Sequence, residues 1–299
     1  MSCAGWFAWP RGADYARVAA SGVFSGGVTY PVAELRRAIA RLRLDDHIMR
    51  GSLFASFLVW GSALCGACRG PARSLPERVV PPASRQALLV TSSEWSAPDG
   101  RLQRWQKGAG DVWQAVGAPI RVSLGRSGLG WGLGLHRAGQ GPSKREGDGR
   151  SPAGVFSLGA AFGYAAAPPE GVTVAYRSAD ERDYFVDDVA SEDYNCWRRI
   201  ADEDANEPKD RWSSFERMRR DDDLYELGVV VEHNGDCVPG AGSAIFLHVW
   251  RGPGSPTSGC TAMSRADLLE LLRWLDPSAF PVLIQAPRAA LRALQAARR

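Results

Sequence analysis

The chain lacks the signals of several large functional classes. Its formal net charge over 299 residues is only +3, with 36 Lys and Arg scattered among 33 Asp and Glu, so no basic surface for nucleic acid is written into it. Six cysteines occur. Cys65-Gly-Ala-Cys68 is a lone Cys-x-x-Cys, and neither a second pair nor a Cys/His spacing suited to zinc exists. Gly128-Leu-Gly-Trp-Gly-Leu-Gly134 is glycine-rich, but the spacing and the closing Lys-Ser/Thr of a phosphate loop are missing. Asp187-Asp188 has no patterned carboxylates around it and reads as solvated surface. No metal site and no cofactor are implied. What is present is an ordinary globular composition, 45% hydrophobic and 23% charged, long enough for one large domain or two small ones. Eleven Trp is a high count. They are read as core and loop packing, with a groove for a polar polymer as the functional alternative.

The first part of the chain divides by texture. Val32, Leu35, Ile39 and Leu42 have helical spacing with arginines between them. An uncharged run from Gly51 to Cys68 follows Met49-Arg50 and ends in small residues near Ala63 and Ala67, as a bacterial secretory signal does. Residues 1–48 are then expected to be an upstream extension, with translation starting at Met49 rather than Met1, and 49–68 a signal peptide. The rival is a membrane anchor in which residues 51–68 associate with the inner membrane. Lipid modification at Cys68 and a buried core helix are further alternatives. Either leading reading places the protein in the periplasm or cell envelope. Residues 69–85 are a Pro/Arg-rich linker and 287–299 an Ala/Arg-rich tail.

From Gln86 to Ala286 short alternating stretches separated by turn residues predict a mainly β domain with a few helices. Ala87–Val90, Arg101–Trp105, Val112–Val116, Ile120–Leu124, Leu227–Glu232, Ala244–Trp250 and Pro281–Gln285 read as strands. Residues 198–223 carry dense mixed charge and are a solvated insertion, a surface helix or a lid. Ser264 opens the clearest helix, with Asp267 three residues on and Leu268, Leu271, Leu272 and Leu275 as its apolar stripe. Asp276-Pro277 ends it. Cys196 and Cys237 are a pair that an oxidising compartment would allow to bridge, which spacing does not decide.

The chemistry concentrates at His248 and Cys260. His248 shares a strand face with Phe246 and Trp250, and Cys260 follows a Gly/Pro/Ser/Thr loop. A thiol needs a nearby base to act as a nucleophile at neutral pH, and an imidazole on a rigid element is such a base. Gly259 permits a tight turn before the nucleophile. Thr257, Ser258, Gly259 and Thr261 are candidates for oxyanion stabilisation and substrate positioning. A buried cysteine and a core histidine are the alternative that spacing leaves open.

The run His248…Thr257-Ser-Gly-Cys260, preceded by Gly242-Ser-Ala-Ile-Phe-Leu-His-Val-Trp250, resembles the L,D-transpeptidase catalytic domain, whose pattern is a His, a loop, then Ser/Thr-x-Gly-Cys. Gly147-Asp-Gly-Arg-Ser-Pro-Ala-Gly-Val-Phe156 resembles the block near that domain's start. The resemblance implies a β-sandwich-like domain over residues 86–286 that acts on peptidoglycan stem peptides. A Cys260 thiolate would attack the carbonyl of the third residue of a tetrapeptide and release D-alanine. An amine of a second stem or of a protein would then resolve the thioacyl intermediate.

Two positions depart from the family pattern: Ser258 stands where many members have His, and Ala262 where many have Arg. Ser258 does not titrate near neutrality, and the missing Arg removes an anchor for a substrate carboxylate. Arg251 or Arg265 is expected to substitute. His233 and Asn234 line the site or orient His248 on one reading and pack a loop on the other; Trp250 is a candidate for substrate contact, whereas His136 is incidental. Hydrolysis at the same site, as an L,D-carboxypeptidase or amidase, is the alternative within the enzyme class. A non-catalytic wall-binding module is the alternative outside it.

Overall fold

The computed structural model describes residues 75–296 except 202, 203, 205 and 206. The expectations for residues 1–48, for the signal or anchor at 49–68 and for Cys68 lie outside the described residues. No helix among the described residues is long and apolar enough to cross a membrane.

The strands in chain order are β1 (Gln86–Ser92), β2 (Asp99–Lys107), β3 (Trp113–Ser123), β4 (Leu129–Trp131), β5 (His136–Arg137), β6 (Ser151–Gly163), β7 (Tyr176–Ser178) and β8 (Asp183–Val186). They continue with β9 (Cys196–Arg199), β10 (Phe215–Arg217), β11 (Leu227–Val231), β12 (Phe246–Val249), β13 (Thr261–Met263), β14 (Val282–Pro287) and β15 (Gln295–Ala296). The α-helices among the described residues are a single turn, α1 (Pro208–Arg211), and α2 (Arg265–Trp274). The expectation of a mainly β fold is met.

The main sheet runs β11-β12-β13-β3-β2-β1-β14-β6, and β6 returns to pair with β11, so the sheet closes in a barrel-like arrangement. Closure removes the open edges that a sheet would otherwise expose. All seven residues of β1 are buried, which explains why Ala87-Leu-Leu-Val90 reads as a continuous apolar run rather than an alternating one. Val112–Val116 and Ile120–Leu124, expected as two strands, are one long strand, β3. Gly117, at φ 67°, and a register shift opposite Leu102 and Arg104 absorb the irregularity without breaking the sheet.

Helix α2 begins where expected. The Ser264 side chain accepts the Asp267 amide at 3.1 Å. Leu268, Leu271, Leu272 and Leu275 are buried in the main core, each contributing roughly 1.5–3 kcal/mol. That core also takes Leu75 and Val79 from the stretch read as a linker, and Leu294 from the tail.

Residues 176–226 add a second layer. The small sheet β10-β8-β9 brings Phe185 and Met218 together with Phe162, Tyr225, Phe246 and Cys260 in a second apolar cluster. Of the alternatives for the charged stretch 198–223, an isolated surface helix is therefore excluded. Its charges pair locally, as in Arg199 with Asp180 and Asp183, Arg198 with Asp193 and Arg211 with Asp204.

Candidate active site

Strands β12 and β13 lie side by side in parallel, with His248 in register with Ala262. Cys260 immediately precedes β13, and its sulfur accepts the Phe246 amide at 3.3 Å. Phe246 and His248 are two residues apart on one face of β12. The thiol and the imidazole therefore share that face, and both line one cavity of about 440 Å³. Its size suits a small-molecule or peptide site.

The turn before Cys260 is held from several sides. Thr257 Oγ1 donates to the Cys260 carbonyl at 2.6 Å and accepts the Gly259 amide at 3.2 Å. Ser151 donates to the same carbonyl at 2.9 Å while accepting the Gly125 amide at 2.9 Å. A Cβ on Gly259 would stand 3.3 Å from the Arg150 carbonyl, so glycine serves close approach there, not an unusual φ. The Gly147-Asp-Gly149 block abuts this turn: Asp148 accepts the Lys144 ammonium at 2.8 Å and the amides of Arg145 and Arg150 at 2.7 and 2.9 Å. Gly147 and Gly149 both take φ 69° to make that loop.

His248 donates from Nδ1 to the Val249 carbonyl at 2.7 Å and packs its ring edge-on against Tyr225, centroids 5.3 Å apart. A carbonyl can only accept, so Nδ1 carries the proton and Nε2 is the basic nitrogen. Burial pushes the imidazole down to about 4. Burial also pushes the Cys260 thiol up to about 12, with the Glu216 carboxylate adding to the rise. The Phe246 amide and Lys144 oppose it. Both shifts favour a neutral thiol beside a neutral imidazole over a preformed ion pair. In this state the thiol donates to the Ala244 carbonyl at 3.4 Å. Ala244 holds a left-handed φ of 52°, which a non-glycine residue rarely adopts. Its amide is taken by Asn195 Oδ1 at 3.2 Å.

The other expected site residues divide. Ser258, Thr257, Gly259, Trp250 and Arg251 line the cavity. Thr261 turns inward and donates to Gln285 Oε1 at 2.8 Å, away from the cavity. His233 and Asn234 are not among the residues lining it. His233 accepts the Leu133 amide and faces the Ala241 carbonyl, and Asn234 closes the 234–242 loop through Val238 and Gly242. Arg265 pairs with Glu226 at 2.9 Å. Of the two arginines considered as substitutes for the missing anchor, Arg251 is the one on the cavity. Ala262, in the middle of its sheet, is fully buried.

Several cavity residues carry no sequence signal of their own. Lys144 is buried beside Gly259, and Glu216, Arg220 and Tyr225 arrive from the insertion and the segment after it. Ser151 lies inside the Gly-Asp-Gly block, but its bond to the Cys260 carbonyl is visible only in three dimensions.

A family model described as the L,D-transpeptidase catalytic domain (YkuD) matches residues 93–284. No curated protein and no solved structure matches the chain. The matched span contains strands β2 to β13, the first half of β14, the cavity and both of its candidate reacting side chains. The chain belongs to the L,D-transpeptidase catalytic-domain family.

Proposed function

We propose that this protein is a cysteine-dependent L,D-transpeptidase of peptidoglycan stem peptides, with Cys260 as nucleophile and His248 as general base and acid. The observation that carries the reading is the shared face: a thiol and an imidazole with a fixed tautomer open onto one cavity inside the family span. Substrate entry replaces the thiol's hydrogen bond to Ala244. The Cys260 proton passes to His248 Nε2 as Sγ attacks the peptide carbonyl, and His248 returns that proton to the departing amine of D-alanine. Concerted transfer suits a pair that rests neutral. An incoming amine then attacks the thioester, the C–S bond breaks, and the amine's proton returns through His248 to the thiol.

The cavity wall near Arg126 and Arg251 offers cations for the peptide's carboxylates. The export-like stretch at 49–68 supports action in the cell envelope, where sequencing the mature amino terminus would decide between cleavage and anchoring. An intact Met1 on a cytoplasmic protein would overturn the envelope reading.

The test is incubation of the purified protein, wild type and Cys260→Ala, with tetrapeptide muropeptides, followed by mass spectrometry. The expected wild-type products are an acyl adduct at Cys260 that has lost D-alanine, and cross-linked dimers. Tripeptide without dimer would replace transpeptidation by hydrolysis. A Cys260→Ala protein as active as wild type would refute the mechanism.

A further inference from the structure

Glu216 stands in the catalytic cavity with only a long, shared ion pair to Arg220. It is carried by β10 at the edge of the small sheet, and its side chain remains 30% exposed, enough for a ligand in the cavity to reach it. Its Oε2 accepts the Tyr225 hydroxyl at 2.8 Å. The nearest cation among the described residues, Arg220, is 3.9 Å from that same oxygen and is committed to Asp222, which it grips with two bonds of 2.8 and 3.0 Å. The buried Lys144 is likewise committed, to Asp148. Oε1 receives no donor from the described residues. Two more carboxylates line the same cavity. Glu146 is held by the hydroxyls of Tyr194 and Ser243, both at 2.6 Å, and Asp187 has an Oδ1 that is shut off from solvent and lacks a hydrogen-bond donor. A part-buried carboxylate whose one cation is distant and shared is weakly compensated, and a cavity that groups it with Glu146 and Asp187 is suited to a cationic guest.

From this arrangement we infer that Glu216 is a specificity-determining residue of the Cys260 site, which receives the ammonium group of the acyl acceptor. The inference deepens the transpeptidase reading and rests on it for the identity of the guest. An acceptor amine arrives as an ammonium ion and must shed a proton before its lone pair can attack. Glu216 is placed to hold the ammonium and take that first proton, releasing it to solvent. The neutral amine then attacks the thioester carbonyl, the N–C bond forms, the C–S bond breaks, and the second proton returns through His248 to Sγ. The ammonium loses two protons, one regenerating the thiol and one leaving by way of the carboxylate. Burial and the neighbouring Asp187 and Glu146 raise the Glu216 pKa, which favours such a proton transfer. The charged and titratable groups that share the cavity with the thiol are Glu216 from β10, Lys144 and Glu146 from the loop before β6, Tyr225 and Arg220 from the segment before β11, His248 from β12, and Arg126, Asp187 and Arg251 from other loops.

Two measurements on the full chain test this, using wild type, Glu216→Gln and Glu216→Asp. Gln keeps an acceptor for the Tyr225 hydroxyl and removes only the charge, so the fold is expected to survive. The first measurement is labelling of Cys260 by iodoacetamide in the presence of N-acetyl-lysine amide or its uncharged analogue N-acetyl-norleucine amide. The cationic compound is expected to protect wild type and Glu216→Asp, but not Glu216→Gln; the uncharged analogue protects none. Equal protection of wild type and Glu216→Gln, or no protection of wild type, overturns the proposal whatever the protein does with wall peptides. The second measurement follows resolution of the acyl-enzyme by an amine-bearing tetrapeptide and by hydroxylamine, which is uncharged at neutral pH. Glu216→Gln is expected to slow the first by roughly tenfold or more and to leave the second unchanged. An unchanged ratio overturns the proposal. Cationic protection without any acyl-enzyme would instead refute the transpeptidase reading while leaving the ammonium subsite in place.

Discussion

The burial of His233 makes a quantitative prediction about acid. Its ring accepts the Leu133 amide at 3.2 Å through Nδ1 and faces the Ala241 carbonyl at 3.1 Å through Nε2, so the folded state holds a neutral imidazole with both nitrogens engaged. Burial pushes its pKa down to about 4 from an ordinary 6.5. The unfolded chain therefore binds a proton between those values that the folded chain refuses. Stability is fully present above pH 6.5, falls as the pH drops below it, and stops falling near pH 4. Linkage over that interval gives a loss of about 2 kcal/mol by pH 5 and about 3 kcal/mol in full for this one group. His233→Gln replaces the ring by an amide whose oxygen can accept from Leu133 and whose nitrogen can donate to Ala241, with nothing to titrate.

The assay is urea denaturation of both proteins at pH 7.5 and pH 5. Whatever its absolute stability, the variant is expected to lose about 2 kcal/mol less than wild type between the two pH values. His248, also pushed down to about 4, contributes a similar loss to both proteins and leaves the difference intact. Equal losses in wild type and variant would refute the claim that the protein encloses His233 as a neutral structural ring.

Other expectations follow from single contacts. Ser151→Ala strands the buried Gly125 amide and removes one of two donors to the Cys260 carbonyl; it is expected to cost about 1–3 kcal/mol in urea denaturation and to slow iodoacetamide labelling of Cys260. Gln285→Ala leaves the Thr261 hydroxyl and the Pro152 carbonyl without partners deep between β13, β14 and β6, and is expected to cost roughly 2–5 kcal/mol by the same measurement. Ser264→Ala removes the cap of α2 and is expected to cost about 1 kcal/mol. Ala244→Gly relieves a left-handed residue and is expected to raise thermal stability by up to about 1 kcal/mol while loosening the carbonyl that holds the thiol.

What the sequence revealed and what it hid follow the range of the interactions. Helix α2 was legible because its cap, apolar stripe and stop lie within a few residues of one another. The His248 face was legible because alternation fixes which side chains share a side of a strand. The two halves of β3 read as separate strands because a local pattern treats Gly117 as a break, whereas pairing with β2 carries the strand across it. Leu75, Val79 and Leu294 belong to stretches whose composition suggests linker and tail, and their burial depends on a barrel surface built by distant residues. His233 was a candidate site residue only because it follows the strand that ends at Glu232. Only its two backbone partners distinguish it from a residue that reaches the cavity. Glu216 and Tyr225 sit in a charged, irregular stretch with no periodicity, and nothing local links them to a cysteine beyond β12.

The resting state of the thiol ties these observations together. Cys260 donates to a carbonyl that Ala244 turns toward it only by holding a left-handed backbone, and Asn195 fixes that conformation by accepting the Ala244 amide and donating to the carbonyls of His233 and Asn234. Asn195 lies between β8 and β9, so that connection and the 233–244 loop jointly set the geometry of the thiol. A thiol so held is protonated, 7% exposed and not hydrogen-bonded to its base, a state that slows alkylation and oxidation without preventing them. On the proposed reading, reaction begins when a substrate displaces the Ala244 bond. The absence of a titrating side chain at 258 and of an arginine at 262 fits this division of labour. The proposed reading puts activation on the side of the cavity that carries Glu216 and Tyr225, while Thr257 and Ser151 hold the turn before Cys260 without help from a side chain at 258 or 262.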